Sequence, residues 1–170
     1  MADRSDIAVR ESKDQVMLKL VRVDDRLLHG QIICAWVPFI QADSLVVASD
    51  EAAKDALVSE IIEACGQDCI KVNVKSVDET VGFLSDSSID ERVILVVGDL
   101  KDAMRIYRAG VKFASINLGN IHHENDGRVL TPSVIVNNED EAVIAGFRGL
   151  GVEIDIRDVP GSDPAAYEHK

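Results

Sequence analysis

The chain has 170 residues, 46% of them hydrophobic, which suits one domain with a sizeable core. Its net charge is −12, from 18 Lys and Arg residues against 30 Asp and Glu residues. This excludes nonspecific electrostatic binding of nucleic acid, which needs a basic face. No run of about 18 apolar residues predicts a membrane span, and no basic start with an apolar core predicts a signal peptide.

The predicted elements alternate between strand and helix as far as residue 118. Apolar runs predict strands at 16–23, 44–49, 70–75, 92–97 and 113–118. Apolar residues at helical spacing predict helices at 31–40, 50–65, 77–84 and 100–109. The near-continuous apolar run Arg92–Val97 is typical of a central parallel strand covered on both faces. Strands separated by helices in this way predict a parallel sheet with right-handed crossovers.

The regular alternation of predicted strands and helices ends at residue 118. A loop is predicted at 119–127, a hairpin or edge strand at 128–136, a helix at 137–148 and a last strand at 152–157. The predicted fold class is therefore α/β, a mainly parallel sheet with helices on both faces and an antiparallel portion toward the C-terminus. Residues 1–15 are polar and charged and are predicted to form a flexible N-terminal extension, which leaves 16–170 as one domain.

The heptapeptide Asp25-Arg26-Leu27-Leu28-His29-Gly30-Gln31 lies between the first strand and the first helix. Imidazole offers a nitrogen lone pair near neutral pH, and the planar fork of an arginine suits phosphate oxygens. The backbone N–H groups at the N-terminus of a helix form an anion-binding site. These features suggest phosphoryl transfer through His29. The alternative is a surface or capping histidine, but sites in α/β sheets collect at the carboxyl ends of strands, where His29 is expected.

Several motifs of this chain are shared with one protein family. The first is the heptapeptide 25–31, called the His turn below, with the strand that precedes it (21–31 together). The others are Trp36 and the segments 45–51, 71–74, 110–112, 115–120 and 151–160. On these motifs the chain resembles the IIB components of the mannose/fructose/sorbose class of the bacterial phosphoenolpyruvate-dependent sugar phosphotransferase system. The resemblance spans residues 16–160, nearly the whole chain.

The resemblance implies a histidine phosphocarrier. His29 would accept a phosphoryl group from a phosphohistidine on a IIA partner and pass it to a sugar held by membrane-embedded IIC and IID components. This is an activity of the protein-Npi-phosphohistidine–sugar phosphotransferase type. The expected location is cytoplasmic, at the inner face of the membrane through those partners. No cofactor, metal or nucleic acid is expected, and a homodimer stays open.

The expected mechanism is in-line attack of a neutral His29 imidazole on phosphorus. The predicted phosphate contacts are Arg26, Arg22 and the residues that open the helix, Gly30 and Gln31. Their attraction for the phosphoryl group must exceed the repulsion from Asp24 and Asp25. More distant charges matter little, because salt screens charges that are more than about 8 Å apart. Asp25 is expected to orient Arg26 or the turn rather than act as a base, since the attacking nitrogen carries no proton.

Residues at other strand ends are predicted to support the site. Asn117 and Gly119 belong to the segment Asn117-Leu118-Gly119-Asn120, whose amides would line the pocket unless it is a simple turn. Ser49 and Asp50 also end a strand, and Asp50 has the alternative role of capping the next helix.

Metal ligation is not expected. Adjacent side chains such as His122 and His123 rarely converge on one ion, so a loop near the phosphate site or a partner is the preferred reading. The chain has three cysteines, Cys34, Cys65 and Cys69. The number is odd, and no second cysteine pair is present to complete a metal site with Cys65 and Cys69, which favours reduced thiols.

Three other functions compete with this interpretation. A receiver-like domain would hold Mg²⁺ at Asp24 and Asp25, but the strand at 70–75 ends without the aspartate that would be phosphorylated. A dinucleotide-binding domain would need a Gly-x-Gly-x-x-Gly motif after the first strand, and none is present. A stand-alone regulatory phosphocarrier without transport has the same sequence features and stays open.

Overall fold

The computed structural model describes residues 17–124 and 126–168, and these alternate strands with helices. The predicted extension at residues 1–15 lies outside the described residues. The strands are β1 Met17–Asp24, β2 Ser44–Ala48, β3 Lys71–Lys75, β4 Arg92–Val97, β5 Ser115–Asn120, β6 Arg128–Thr131, β7 Val134–Val136 and β8 Glu153–Ile156. The helices are a π-helix at Ile32–Trp36, α1 Val37–Ile40, α2 Asp50–Lys54, α3 Ala56–Ala64, α4 Val77–Leu84, α5 Leu100–Arg108 and α6 Asn138–Gly149.

Six strands form one sheet in the order β3-β2-β4-β1-β5-β8. Every neighbouring pair in it is parallel. The antiparallel portion is a separate hairpin of β6 and β7, joined to the segment after β5 by a bridge between Ile121 and Val134. The predicted fold class is thus confirmed, with the refinement that the antiparallel strands stand outside the main sheet.

The apolar core lies in two layers, one on each face of the sheet. In β4 the side chains alternate between them, because successive residues of a strand point to opposite faces. Val93, Leu95 and Val97 pack with α4, α5 and α6, whereas Ile94 and Val96 pack with the π-helix, α1, α2 and α3. Each of these β4 side chains is fully buried, which is worth about 1.5–3 kcal/mol apiece by the transfer of apolar surface from water.

Two predicted elements differ from the structure. The predicted helix 50–65 is broken at Asp55, whose backbone is extended and whose carboxylate accepts from the amides of Leu57 and Val58 to cap α3. The predicted loop at 119 begins later, because pairing with β1 carries β5 through Gly119 to Asn120. Local patterns do not report such interstrand pairing.

The sheet topology places the His turn at a switch point. From β1 the chain crosses beyond β4 to β2, whereas from β4 it crosses beyond β1 to β5. The two connections therefore leave adjacent strands in opposite directions, which opens a crevice at the carboxyl ends of β1 and β4. His29 lies in the connection that follows β1.

Candidate functional site

The His turn is tightly folded. The amide of Leu27 donates to the Asp24 carbonyl at 2.9 Å, and Leu27 has a left-handed backbone with φ of 56°. A leucine in that region is strained by about 1–2 kcal/mol, a cost typical of functional sites. Helical structure then begins at Gly30, and the His29 carbonyl accepts from the amides of Ile32 and Ile33.

The segment that follows His29 is helical as predicted, but its centre is a π-helix at Ile32–Trp36. Such turns are rare and are frequently found at functional sites. The first amides of a helix, here those of Gly30 and Gln31, have no partner inside the helix.

The ring of His29 is held by Asp24, which the sequence indicated only as a nearby negative charge and as a metal ligand in the receiver-like alternative. His29 Nε2 lies 2.7 Å from Asp24 Oδ2, and the Asp24 side chain is fully buried. A carboxylate accepts hydrogen bonds, so this contact suits a proton on Nε2 and leaves Nδ1 as the ring nitrogen outside the bond. The signal that could have found Asp24 is strand alternation, because Leu20, Arg22 and Asp24 share one face of β1.

Arg22 lies beneath the site rather than at its surface. Its side chain is fully buried, and its Nη2 donates to Asp24 Oδ2 at 3.0 Å. Its Nη1 donates to Asn117 Oδ1 at 2.7 Å and to the carbonyl of Asp158 at 3.2 Å, and its guanidinium lies 5.7 Å from the Trp36 ring centre. Burial lowers the pKa of Arg22, and Asp24 opposes that shift. A direct phosphate contact by Arg22, as predicted, would require these bonds to break.

Arg26 is the accessible cation of the turn. Its side chain is 52% exposed, and its Nε lies 3.6 Å from Asp24 Oδ1. Its own amide donates to the same oxygen at 3.1 Å. The backbone of Arg26 is therefore fixed to the buried carboxylate, while most of its guanidinium fork is free to meet an anion.

Asp25 bonds to the segment that follows β5. Its carboxylate accepts from the Asn120 side-chain amide and, at 2.9 Å, from the backbone amide of His122. It also lies 3.3 Å from His122 Nδ1. Asp25 thus holds the segment after β5 against the turn, and its role in orienting Arg26 or the turn stays a prediction.

The remaining predicted site residues take structural positions in this arrangement. Ser49 caps α2 by accepting from the amide of Ala52, and Asp50 accepts from Arg105 and from the amide of Val77. The hydrogen bond from Arg105 lowers the pKa of Asp50. Neither residue has a bond to the His turn among those of the described residues.

Asn117 and Gly119 border Arg22 in β5. The Asn117 side chain accepts from Arg22 and donates to Asp155 Oδ2 at 2.8 Å. A side chain at Gly119 would overlap the guanidinium of Arg22. Both residues therefore belong to the layer under His29, because β5 pairs directly with β1.

Two further histidines among the described residues, His122 and His123, are each tied to a carboxylate. His122 faces Asp25, and His123 Nε2 lies 2.5 Å from Asp140 Oδ2 at the start of α6. Within 17–124 and 126–168, no three His, Cys, Asp or Glu side chains converge as metal ligands would. The three cysteines are free and exposed. The absence of bound metal stays a prediction.

Comparison with known proteins agrees with this fold. The family model for the sorbose-subfamily IIB component of the phosphotransferase system (PTS) matches residues 18–169. The N-acetylgalactosamine-specific phosphotransferase enzyme IIB component 2 of Escherichia coli strain K12 is 30% identical over 146 residues, covering 86% of this chain and 92% of that protein. The solved IIB domain of the sorbose permease from Klebsiella pneumoniae has a TM-score of 0.82 at 26% identity, covering 88% of this chain and 93% of that one.

A further relative carries a second unit. The mannose-specific EIIAB component of Escherichia coli strain K12 is 26% identical over 152 residues, which covers 89% of this chain and 47% of that protein.

The α/β fold and these matches define a PTS component of the IIB class. The chain belongs to the sorbose-subfamily IIB components, as the sequence resemblance predicted. Its coarse role is therefore that of a phosphocarrier in sugar uptake, a phosphotransferase in general terms. Among the described residues, no helix is long and apolar enough to cross a bilayer.

Proposed function

We propose that His29 accepts a phosphoryl group on Nδ1 from the phosphohistidine of a IIA partner. The observation that carries this proposal is the 2.7 Å contact between His29 Nε2 and the buried Asp24 carboxylate. That contact engages one nitrogen as a donor and leaves the other as the nucleophile. The His29 side chain is 18% exposed, so one edge of its ring is accessible to a docking protein.

The chemistry requires no proton to be removed from the attacking nitrogen. The new bond forms between His29 Nδ1 and phosphorus as the bond between phosphorus and the donor histidine nitrogen breaks. The phosphorylated ring carries more positive charge than the neutral one, and the Asp24 carboxylate stabilises that charge through Nε2–H. In onward transfer the sugar hydroxyl oxygen bonds to phosphorus as the bond from phosphorus to His29 Nδ1 breaks, and the hydroxyl proton passes to a base beside the sugar in the membrane component.

Charge on the equatorial oxygens of the transition state is stabilised by Arg26 and by the first amides of the helix. The exposed fork of Arg26 suits two oxygens at once. Preorganised donors of this kind are worth about 3 kcal/mol each in favourable cases. They allow a chain of net charge −12 to accept an anionic group, because remote charges are screened within about 8 Å.

The downstream acceptor is a sugar bound by membrane IIC and IID components. The relatives are named for N-acetylgalactosamine, fructose, sorbose and mannose, so the IIB class serves several sugars. Specificity then lies with the membrane partner, and the chain acts at the cytoplasmic face through it. The expected calorimetric result is weak or undetectable binding of free sugars to the isolated chain, and tight binding would contradict this division of roles.

A stand-alone regulatory phosphocarrier remains the second candidate, since it would use the same site. Neighbouring genes for IIC and IID components favour transport, whereas their absence beside kinases or regulators favours signalling. A receiver-like site on aspartate is disfavoured, because Asp24 already accepts from Arg22, His29 and the Arg26 amide.

The test is phosphorylation by phosphoenolpyruvate, the general phosphotransferase proteins and a cognate IIA. The expected label is acid-labile and stable in alkali, as a phosphoramidate is, and His29→Ala should abolish it. The matched control is His122→Ala, which removes another histidine of the same edge and should keep the label. Label that survives in His29→Ala, or label lost in alkali as from an acyl phosphate, would contradict the proposal.

A further inference from the structure

Gly119 stands over the guanidinium of Arg22. A Cβ atom built at position 119 would overlap Cζ, Nη1 and Nη2 of that side chain. Gly119 is also the extra residue in the pairing of β1 with β5, where Val23 pairs with Leu118 and Asp24 pairs with Asn120. Glycine at such an irregularity often marks the close approach of another group, and here that group is Arg22.

Arg22 has nowhere to move if that space is filled. Its side chain has no exposed surface, and it is bonded on one side to Asp24 and on the other to Asn117. The carbonyls of Arg157 and Asp158 close the end of the guanidinium at 3.4 and 3.2 Å. Any shift of the guanidinium therefore breaks hydrogen bonds of a buried charge.

Asp24 Oδ2 is shared between two donors, Arg22 and His29 Nε2. The Arg22 cation offsets the carboxylate charge, so His29 can hold one proton on Nε2 and keep the lone pair on Nδ1. If Arg22 is displaced, the carboxylate favours a fully protonated imidazolium, which has no lone pair for attack. The charged groups that face this ring are Asp24 and, across its carboxylate, Arg22 and Arg26.

We propose that Gly119 is a positioning residue that acts through Arg22 and Asp24 to keep His29 in its nucleophilic protonation state. This inference rests on the proposed function of His29. It differs from the sequence-based expectation that the Gly119 amide lines the phosphate pocket. Gly119→Ala distinguishes the two roles. The substitution keeps the backbone amide that would contact phosphate, but it fills the space that the Arg22 guanidinium occupies.

The test combines ¹⁵N NMR of the histidine rings with transfer kinetics. In the unmodified protein at pH 8, His29 should show a protonated Nε2 and a bare Nδ1, assigned by the loss of these signals in His29→Gln. Gly119→Ala should place a proton on Nδ1 as well, and should slow phosphoryl acceptance by about 10-fold to 100-fold, as loss of an outer partner of a functional histidine does at metal sites.

Matched variants separate positioning from a general effect on folding. Gly82→Ala, at an exposed site of α4 with open space for a Cβ, should leave both readouts unchanged. Arg22→Lys replaces the fork by one ammonium group, which cannot bond Asp24 and Asn117 together as the fork does, so the offset of the Asp24 charge weakens and the NMR change should be reproduced. The double variant Gly119→Ala with Arg22→Lys should lose no more rate than Arg22→Lys alone, because both changes act on one group.

Additive losses in the double variant, or an unchanged His29 ring in Gly119→Ala and Arg22→Lys, would overturn the proposal. If Gly119→Ala does not fold, the double variant carries the test, because Arg22→Lys removes the guanidinium that the new Cβ would meet: recovery of folding supports the proposal, and failure to recover contradicts it. The NMR readout uses unphosphorylated protein. A wild-type chain that accepts no phosphate on His29 would therefore refute the proposed function while leaving the positioning role measurable.

Discussion

Two aspartate–histidine pairs lie side by side at the carboxyl end of β1, and they differ in burial. Asp24 pairs with His29 through Nε2 at 2.7 Å, and the two side chains are 0% and 18% exposed. Asp25 pairs with His122 through Nδ1 at 3.3 Å, and the side chains are 33% and 50% exposed. The residue types are the same, but only the first pair is backed by a buried cation, Arg22.

The difference shows that neighbouring aspartates acquire different roles from the direction of their side chains. Asp24 points into the layer that holds Arg22 and Trp36, where low dielectric strengthens its hydrogen bonds. Asp25 lies in the turn, where water weakens an ion pair to about 0–1 kcal/mol. We therefore interpret Asp24–His29 as the chemical pair and Asp25–His122 as a tether for the segment after β5.

The largest expected effect is on the rate of phosphoryl acceptance. Asp24→Asn replaces the carboxylate that fixes the His29 proton, and it should slow transfer by about 10³-fold, as a wrong tautomer does in a hydrolase triad. Asp25→Asn should change the rate by less than about 5-fold, since its pair is exposed. Rapid-quench transfer from a phosphorylated IIA measures both, and equal losses in the two variants would remove the distinction.

The same substitutions should separate in stability. Asp24→Asn leaves Arg22 buried without its counter-charge and should lower the free energy of unfolding by about 3 kcal/mol. Asp25→Asn should lower it by about 1 kcal/mol or less. Urea denaturation monitored by circular dichroism measures the difference, and an unchanged midpoint for Asp24→Asn would mean that the network under His29 carries little energy.

Substitution of Arg26 tests the solvent-exposed side of the Asp24–His29 pair. Arg26→Lys keeps the charge but loses the bidentate fork, so we expect phosphoryl acceptance to slow by about 10²-fold with the fold intact. Arg108→Lys, at the end of α5 on the opposite edge of the sheet, is the control and should have no effect. A rate unchanged in Arg26→Lys would assign Arg26 to structure or solvent.

Metal removal should have no effect on either pair. We expect elemental analysis of chelator-treated and untreated protein to find no stoichiometric zinc at His122, His123 or the cysteines, and we expect the transfer rate to be the same in both samples. Zinc at one equivalent would show that the exposed histidines or Cys65 and Cys69 bind metal, and the tether interpretation of His122 would then need revision.

The order of elements followed from local sequence signals, but some boundaries did not. The apolar run of β4 and the glycine after α5 belong to short segments, so they can be read without tertiary information. The break at Asp55 depends on a side chain that competes with its own helix for backbone amides. The extension of β5 through Gly119 depends on pairing with a strand about a hundred residues earlier in the chain.

At the site, the sequence by itself determined the family, the candidate nucleophile His29 and the exposed Arg26, because these share one turn. Only the tertiary structure decided the surroundings of Asp24, Arg22 and Gly119. Strand alternation turns Asp24 inward, and the β1–β5 register brings Gly119 against Arg22. The physical reason is that hydrogen bonds and charge compensation depend on distances between side chains, and residues 22 and 119 become neighbours only when the sheet forms.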